Sequence, residues 1–244
     1  MKLGFYPKLA WTGMRSNRKL YLPYLITCIS MVAMLYIVGY LSGAEAVRHL
    51  PGGQFIQESL GLGVWIIALF AGLFLVYSSS FLMRRRKKEF GLYNILGMGK
   101  GHLCMVVFWE TVMTAVISIS GGLVAGIMLS KLSELCIVNI VGGEVDYSLT
   151  ISGRSVITAC IVFAVIFLVI MVKSLWQIRR TNAINLLKSE NVGEKLPRLH
   201  WFWGTLGAVV LGAAYYLALS IEDPLSALFI FFGAVGMVIV ATYL

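Results

Sequence analysis

Residues 62–88 read LGVWIIALFAGLFLVYSSSFLMRRRKK, an apolar run that ends in five consecutive basic residues. An α-helix rises about 1.5 Å per residue, so about 20 residues cross the ~30 Å hydrocarbon core of a bilayer. Lipid offers the backbone no hydrogen-bond partners, and such a stretch therefore spans a membrane as a helix. The basic block predicts the cytoplasmic end of that helix, because cytoplasmic loops retain Lys and Arg.

The same pattern recurs along the whole chain. The predicted spans are Leu22–Leu41, Leu62–Leu82, Leu103–Leu129, Val156–Val172, Phe202–Leu219 and Leu225–Leu244. From the N-terminal tail to the fifth connection, the segments between them carry five, one, six, two, six and no Lys or Arg residues. This alternation predicts an all-α, polytopic membrane protein with six transmembrane helices, a cytoplasmic N-terminus and short cytoplasmic amphipathic helices.

The composition supports a membrane protein and argues against other classes. The chain is 59% hydrophobic and 13% charged, whereas soluble domains carry about 25% charged residues. Its net charge of +9 is explained by the basic cytoplasmic loops, so no nucleic-acid partner is expected. Those loops are suited to contact anionic membrane lipid. The four cysteines form no CxxC pair and imply no disulfide framework.

Catalytic and metal-binding motifs are absent from the sequence. The three histidines, His49, His102 and His200, lie outside the predicted spans, and neither HExxH nor GxSxG occurs. Residues 94–101 approach a phosphate-binding loop, but Asn94 replaces its first glycine and Gly101 replaces its Ser or Thr. The chain is therefore predicted not to be an enzyme, with no metal site and with any ATP hydrolysis in a separate subunit.

The two ends of the sequence raise separate questions. Ala44-Glu45-Ala46 fits a signal-peptidase site, but the preceding apolar run of about 20 residues exceeds the usual signal core of about 7–15. An uncleaved first helix is therefore favoured. At the other end, the apolar run Phe229 to Leu244 has no basic flank, which predicts that the sixth span is truncated.

The second cytoplasmic connection combines the basic block with an amphipathic pattern. Phe90, Tyr93 and Leu96 recur every three residues, which predicts a short helix over Glu89–Leu96, ended by Gly97. Simple anchoring by the basic block is the alternative, but it leaves the apolar face unexplained. We expect this face to fill a groove on a soluble partner.

Two further features lie within the third span. Gly122 and Gly126 form a GxxxG motif, which predicts a close approach of another helix. Glu110 is an intramembrane acid, which is costly unless it faces protein or water. It is expected either to pair with an Arg or Lys near the inner leaflet or to serve in coupling or proton movement, and pairing is favoured.

Three stretches resemble a known family. Arg85 to Met98 resembles the R-x-x-x-E-x-G-L-x-x-x-L-G motif of FtsX-like ABC transporter permeases. The segments 178–188 and 191–195 are similar to the stretch after the fourth helix in the BceB-type members. Lys8 to Trp11, followed by Tyr21 to Tyr24, resembles the start of those members, so the resemblance covers all 244 residues.

The resemblance implies a permease in the bacterial cell membrane that serves in antimicrobial peptide resistance. Members of the family have ten helices and a large extracellular domain between the seventh and eighth helices. This sequence is too short to contain all ten helices, and it lacks that domain. Its implied partners are a cytoplasmic ABC ATPase dimer, which binds ATP and Mg, and in many members a sensor histidine kinase. The permease is expected to relay ATP-driven closure outward, by mechanotransmission, and to free a lipid-linked target from a peptide such as bacitracin. No cofactor is implied in this chain.

The resemblance also assigns domains and site residues. The predicted domains are an N-terminal interfacial helix (1–21), an FtsX-like four-helix unit (22–177), a cytoplasmic linker (178–201) and the fifth and sixth helices (202–244). The expected ATPase-coupling residues are Glu89, Phe90, Gly91, Leu92, Tyr93, Leu96 and Gly97. The second cytoplasmic segment contributes Arg180, Thr181, Asn182, Leu186 and Leu187.

Two alternative functions stay open. The chain could be another FtsX-like permease, such as a lipoprotein or macrolide exporter, but those proteins carry a large domain in the first connection. Here that connection has only about 20 residues. The second alternative is a membrane scaffold for a sensor kinase, with no ATPase. Co-purification of an ATPase would separate transport from scaffolding.

Overall fold

A computed structural model describes residues 4–48, 52–95, 97–141, 151–180, 201–219, 233–234 and 237–238. Within these residues the regular structure is helical throughout. The helices are α1 (Phe5–Ser16), α2 (Arg18–Leu41), α3 (Glu45–Arg48), α4 (Gly53–Arg85), α5 (Lys87–Ile95), α6 (Lys100–Val141), α7 (Gly153–Arg180) and α8 (Trp201–Leu219).

The helices α1 to α7 form a bundle with α2 at its centre. Helix α2 packs against α4, α6 and α7, and Cys28, Val32, Leu75 and Phe163 are fully enclosed between these helices. Large apolar side chains such as Trp65 point outward instead. A bundle that is apolar both inside and outside is suited to lipid rather than to water.

Four helices, α2, α4, α6 and α7, are long and apolar enough to cross a membrane. They correspond to the first four predicted spans, and the protein is a multi-pass membrane protein. The fifth predicted span coincides with α8, which belongs to a second compact unit, Val192–Leu244. Nearly all of the sixth lies outside the described residues. Six crossings and a cytoplasmic N-terminus therefore stay predictions.

Two helices extend beyond the predicted spans. Helix α6, with a predicted span of Leu103–Leu129, continues to Val141 because residues 130–141 contain no Gly or Pro to end the helix. The first connection, expected over residues 42–61, is shorter than that. It contains α3 and then Gly52, whose φ of 72° suits glycine and turns the chain into α4.

The predicted close approach at GxxxG is confirmed, and its partner is α2. A Cβ atom added at Gly122 would lie 2.4 Å from the Cβ atom of Val32. One added at Gly126 would lie 3.0 Å from the Cδ1 atom of Tyr36. Helices α2 and α6 can approach this closely only because these two positions lack a side chain.

The orientation can be tested at exposed residues at the two ends of the bundle. In a cysteine-free variant, single cysteines at Gln54 and Arg154 should react with a membrane-impermeant maleimide in intact cells. Single cysteines at Arg84 and Lys100 should react only in opened cells, because the positive-inside rule places them in the cytoplasm. Labelling of Lys100→Cys from outside would reverse the orientation.

Candidate functional site

A buried guanidinium joins four helices at the basic end of the bundle, the end that carries Arg15, Arg84 and Arg179. Arg86 is the single residue between α4 and α5, and its side chain is 1% exposed. Its Nη1 atom donates a hydrogen bond to Glu110 Oε2 of α6 at 2.6 Å and another to the hydroxyl of Tyr21 of α2. Its Nε atom donates to Glu89 Oε2 of α5 at 3.0 Å. We call Arg86, Glu110, Tyr21 and Glu89 the basic-end cluster.

Glu110 is 4% exposed and has Arg86 as its charged partner. The Tyr21 hydroxyl donates to the same oxygen, Oε2, at 3.1 Å. Glu110 was expected either to pair with a basic residue or to serve in coupling or proton movement. The structure contains the ion pair, and its basic partner is Arg86. Burial by itself would lower the pKa of the Arg86 guanidinium, but the contacts with Tyr21 and with the carboxylates of Glu110 and Glu89 outweigh burial and raise that pKa above its ordinary value. Arg86 therefore stays charged.

The N-terminal helix α1 covers this cluster. Gly13 lies against it, because a Cβ atom added there would be 3.1 Å from Glu110 Oε1 and 3.3 Å from Arg86 Nη2. The residue after α1, Asn17, donates its side-chain amide to Glu89 Oε1 at 2.7 Å. The predicted N-terminal helix is thus present as α1 and is connected to both α5 and α6.

The predicted short helix after the basic block is present as α5, but Phe90 of its apolar face points inward. Phe90 is 2% exposed and packs with Leu103, Val107 and Ile178 of the same chain. Tyr93 lies at the edge of that cluster. The expectation that Phe90 is presented to a partner is therefore corrected, because neighbouring helices already cover its ring. Leu92, in contrast, is 54% exposed.

The other expected coupling residues are placed as follows. Gly91 is buried in α5, and Gly97 has a φ of 91°. The Met98 amide donates to the Tyr93 carbonyl at 2.9 Å, a bond typical of a glycine-terminated helix. Leu96 lies outside the described residues. Of the residues expected in the second cytoplasmic segment, the structure describes Arg180, and residues 181–187 lie outside the described part. The Arg180 guanidinium lies 3.9 Å from the centre of the Trp176 ring.

A second polar cluster lies at the opposite end of the same helix pair. Glu134 of α6 accepts hydrogen bonds on Oε2 from the Tyr40 hydroxyl of α2 at 2.7 Å and from Lys131 Nζ at 3.1 Å. All three side chains are buried. Helices α2 and α6 are therefore joined by a Tyr–Glu–basic arrangement at each end, with the Gly122–Gly126 contact between them.

Sequence reasoning missed several of these residues. Arg86 was one of five basic residues in a block expected to act as an anchor, and Lys131 was counted as a loop charge. Glu134 was not singled out. A usable signal exists in retrospect, since tyrosines near both ends of α2 face a single acid near each end of α6. Among the described residues no three His, Cys, Asp or Glu side chains are placed to hold a metal ion.

Comparisons with known proteins show which family the chain is similar to. Residues 61–183, about half of the chain, match the family described as FtsX-like permease C-terminal. The match begins within α4 and extends past the end of α7, so it contains the Arg86 and Glu110 members of the basic-end cluster.

Curated relatives are similar over nearly the whole chain. An uncharacterized ABC transporter permease of Bacillus subtilis, YvcS, is 25% identical over 237 residues, which are 96% of this chain and 36% of that protein. The bacitracin export permease protein BceB of the same species is 26% identical over 250 residues, 97% of this chain and 38% of its own length. The BceB protein of Halalkalibacterium halodurans is 23% identical, covering 95% and 37%. The chain spans a little over a third of the length of these relatives.

Proposed function

This chain belongs to the FtsX-like permease family, and we propose that it is part of the permease subunit of an ABC transporter. In this proposal a cytoplasmic ATPase dimer binds ATP and Mg, and the permease uses the resulting closure to remove antimicrobial peptides from lipid-linked targets outside the cell. A sensor histidine kinase receives the resistance signal. The similarity to two bacitracin export permeases supports this assignment.

The observation that carries the proposal is the placement of Arg86 between a short helix and the membrane bundle. Helix α5 begins one residue after Arg86, and Arg86 is bonded to α2 and α6. Separating a buried ion pair is costly, because each charge would be left without its partner. A displacement of α5 by a partner therefore has to move α2 and α6 as well.

The geometry of α6 extends this connection across the membrane. Glu110 and Glu134 are 24 residues apart on one continuous helix, which corresponds to about 36 Å at 1.5 Å per residue. Both acids are bonded to tyrosines of α2. The helix pair α2–α6 is thus suited to transmit motion between the two ends of the bundle, as mechanotransmission requires.

We place the ATPase contact on the exposed side of α5. Phe90 is covered by this chain, whereas Leu92 is available to a partner. Leu92→Glu should leave the bundle folded, since the side chain is half exposed, and should abolish co-purification of the ATPase together with bacitracin resistance. The measurement is affinity purification of the full-length protein with its ATPase, followed by a growth assay in bacitracin.

Phe5→Glu is the matched control for this experiment. It introduces the same charge at a comparably exposed apolar residue at the same end of the bundle, but on α1, and it should retain the ATPase. If Leu92→Glu still retains the ATPase, α5 does not form the main contact, and residues 178–187 become the better candidate. If the unaltered protein purifies with a sensor kinase and without an ATPase, the scaffold alternative is favoured.

A further inference from the structure

A crevice opens between α1, the first turns of α2 and the middle of α6. Its volume is about 320 Å³, within the range of about 300–1,000 Å³ that is typical of small-molecule pockets. Its floor is formed by Met14 and Tyr21, which are buried. The crevice therefore lies directly beside the basic-end cluster, since Tyr21 contacts both.

The lining of the crevice divides into a charged rim and an apolar wall. Arg15 and Arg18 stand at the rim and are exposed, with Trp11 beside them. No ion pair joins either arginine to another residue in the described part of the chain. The wall is formed by Leu22, Leu25 and Ile117. Because Ile117 follows Glu110 by seven residues on α6, it lies about 10 Å further into the membrane.

We propose that this crevice binds an anionic phospholipid of the leaflet at the basic end. The two guanidinium groups match a phosphate, because arginine presents a planar array of donors that pairs with phosphate oxygens. An acyl chain would follow the apolar wall toward Ile117, and Trp11 is of the residue type that sits at the headgroup level. A free phosphate ion would leave that apolar wall exposed, so the charge and the wall together favour a lipid.

The bound lipid would hold α1 against α2 and α6. Each of these helices contributes lining residues to the crevice, so a lipid that fills it contacts all three. Since α1 also covers Glu110 and Arg86 through Gly13, the lipid composition of the membrane would influence the packing around the basic-end cluster.

The proposal can be tested by native mass spectrometry of the purified full-length protein. Dioleoyl phosphatidylglycerol is titrated, and the fraction of protein that carries one lipid is measured, with phosphatidylcholine as the neutral lipid. Arg15→Gln with Arg18→Gln should lower the affinity for the first phosphatidylglycerol by about tenfold or more, since each basic residue near a surface contributes appreciably to attraction of anionic lipid. Lys8→Gln with Lys19→Gln removes the same charge from the same two helices, outside the crevice, and should leave that affinity unchanged.

A second variant separates lipid from free phosphate. Ile117→Trp blocks the inner part of the crevice and leaves both arginines in place, so it should weaken phosphatidylglycerol binding, and inorganic phosphate at millimolar concentration should not compete. Equal loss of affinity in the arginine and lysine pairs would overturn the proposal, because only total charge would then matter. Unchanged binding by Ile117→Trp, or displacement by phosphate, would overturn it as well.

Discussion

Replacing Arg86 with Ala should destabilise the protein by about 3–5 kcal/mol, the usual cost of leaving one member of a buried ion pair uncompensated. Glu110 would remain buried, with the Tyr21 hydroxyl as the remaining hydrogen-bond donor to its Oε2 atom, and Glu89 would lose its charged partner in the same step. The free energy of unfolding can be measured in mixed micelles by titration with sodium dodecyl sulfate. Under the proposed function, loss of bacitracin resistance should accompany the loss of folded protein.

The neighbouring residue Arg84 provides the matched control. It has the same side chain two positions earlier, but it is exposed, and exposed charges typically contribute about 0–1 kcal/mol. Arg84→Ala should therefore leave the unfolding free energy nearly unchanged. Equal effects of Arg84→Ala and Arg86→Ala would show that the charge of the whole block matters and that the buried pair does not.

A double replacement separates pairing from charge. Glu110→Gln alone leaves Arg86 without a charged partner in α6 and should destabilise the protein, with resistance falling in proportion. Arg86→Met with Glu110→Leu removes both charges and should recover much of the lost stability, because a buried ion pair can often be replaced by apolar residues at little cost. If that variant is stable and assembles with its ATPase but confers no resistance, the ion pair serves coupling as well as packing.

Gly122→Ala should destabilise the α2–α6 contact by about 3 kcal/mol, near the upper end of the usual cost of overpacking. The new methyl group would lie 2.4 Å from the Cβ atom of Val32 and 2.9 Å from the Ile29 carbonyl oxygen. Neither atom is the flexible end of a side chain, so the two helices have to separate. The same unfolding titration measures the effect, and the ATPase should still co-purify from the fraction that remains folded.

Gly121→Ala is the control, because it makes the same change one residue earlier. The methyl group at residue 121 would meet the Cδ1 atom of Ile29 at 3.4 Å, an ordinary contact with a movable group. Alanine is also a better helix former than glycine by about 1 kcal/mol. Gly121→Ala should therefore be neutral or slightly stabilising. A Gly122→Ala variant as stable as Gly121→Ala would mean that α2 and α6 are not held this closely.

The two predictions probe different parts of one connection. Arg86 joins α5 to the helix pair at its basic end, and Gly122 keeps the pair together between its two polar ends. If α2 and α6 transmit motion as one unit, both changes should lower bacitracin resistance, although only Arg86→Ala alters the junction with α5. Resistance that persists in a folded Gly122→Ala variant would show that close contact of α2 and α6 is not required.

The sequence alone predicted the four long helices of the bundle and identified the chain as a membrane protein. An apolar run of about 20 residues has few alternatives in a bilayer, because hydrocarbon thickness sets the length and the lack of water imposes the helix. Residues 62–88 therefore predicted α4, and the three other long helices of the bundle followed in the same way. The motif from Arg85 to Met98 likewise indicated the permease family, and Gly122 indicated close helix contact, without identifying α2 as the partner.

Only the tertiary structure decided which side chains meet. Five basic residues follow one another from Arg84 to Lys88, and nothing in their order singles out Arg86. It turns inward because it occupies the junction of α4 and α5, where the direction of the chain aims one side chain at Glu110, 24 residues away. The inward position of Phe90 has the same origin, since periodicity defines an apolar face but not the surface that covers it. These contacts depend on the rotation and spacing of whole helices, which are set by packing among residues far apart in sequence.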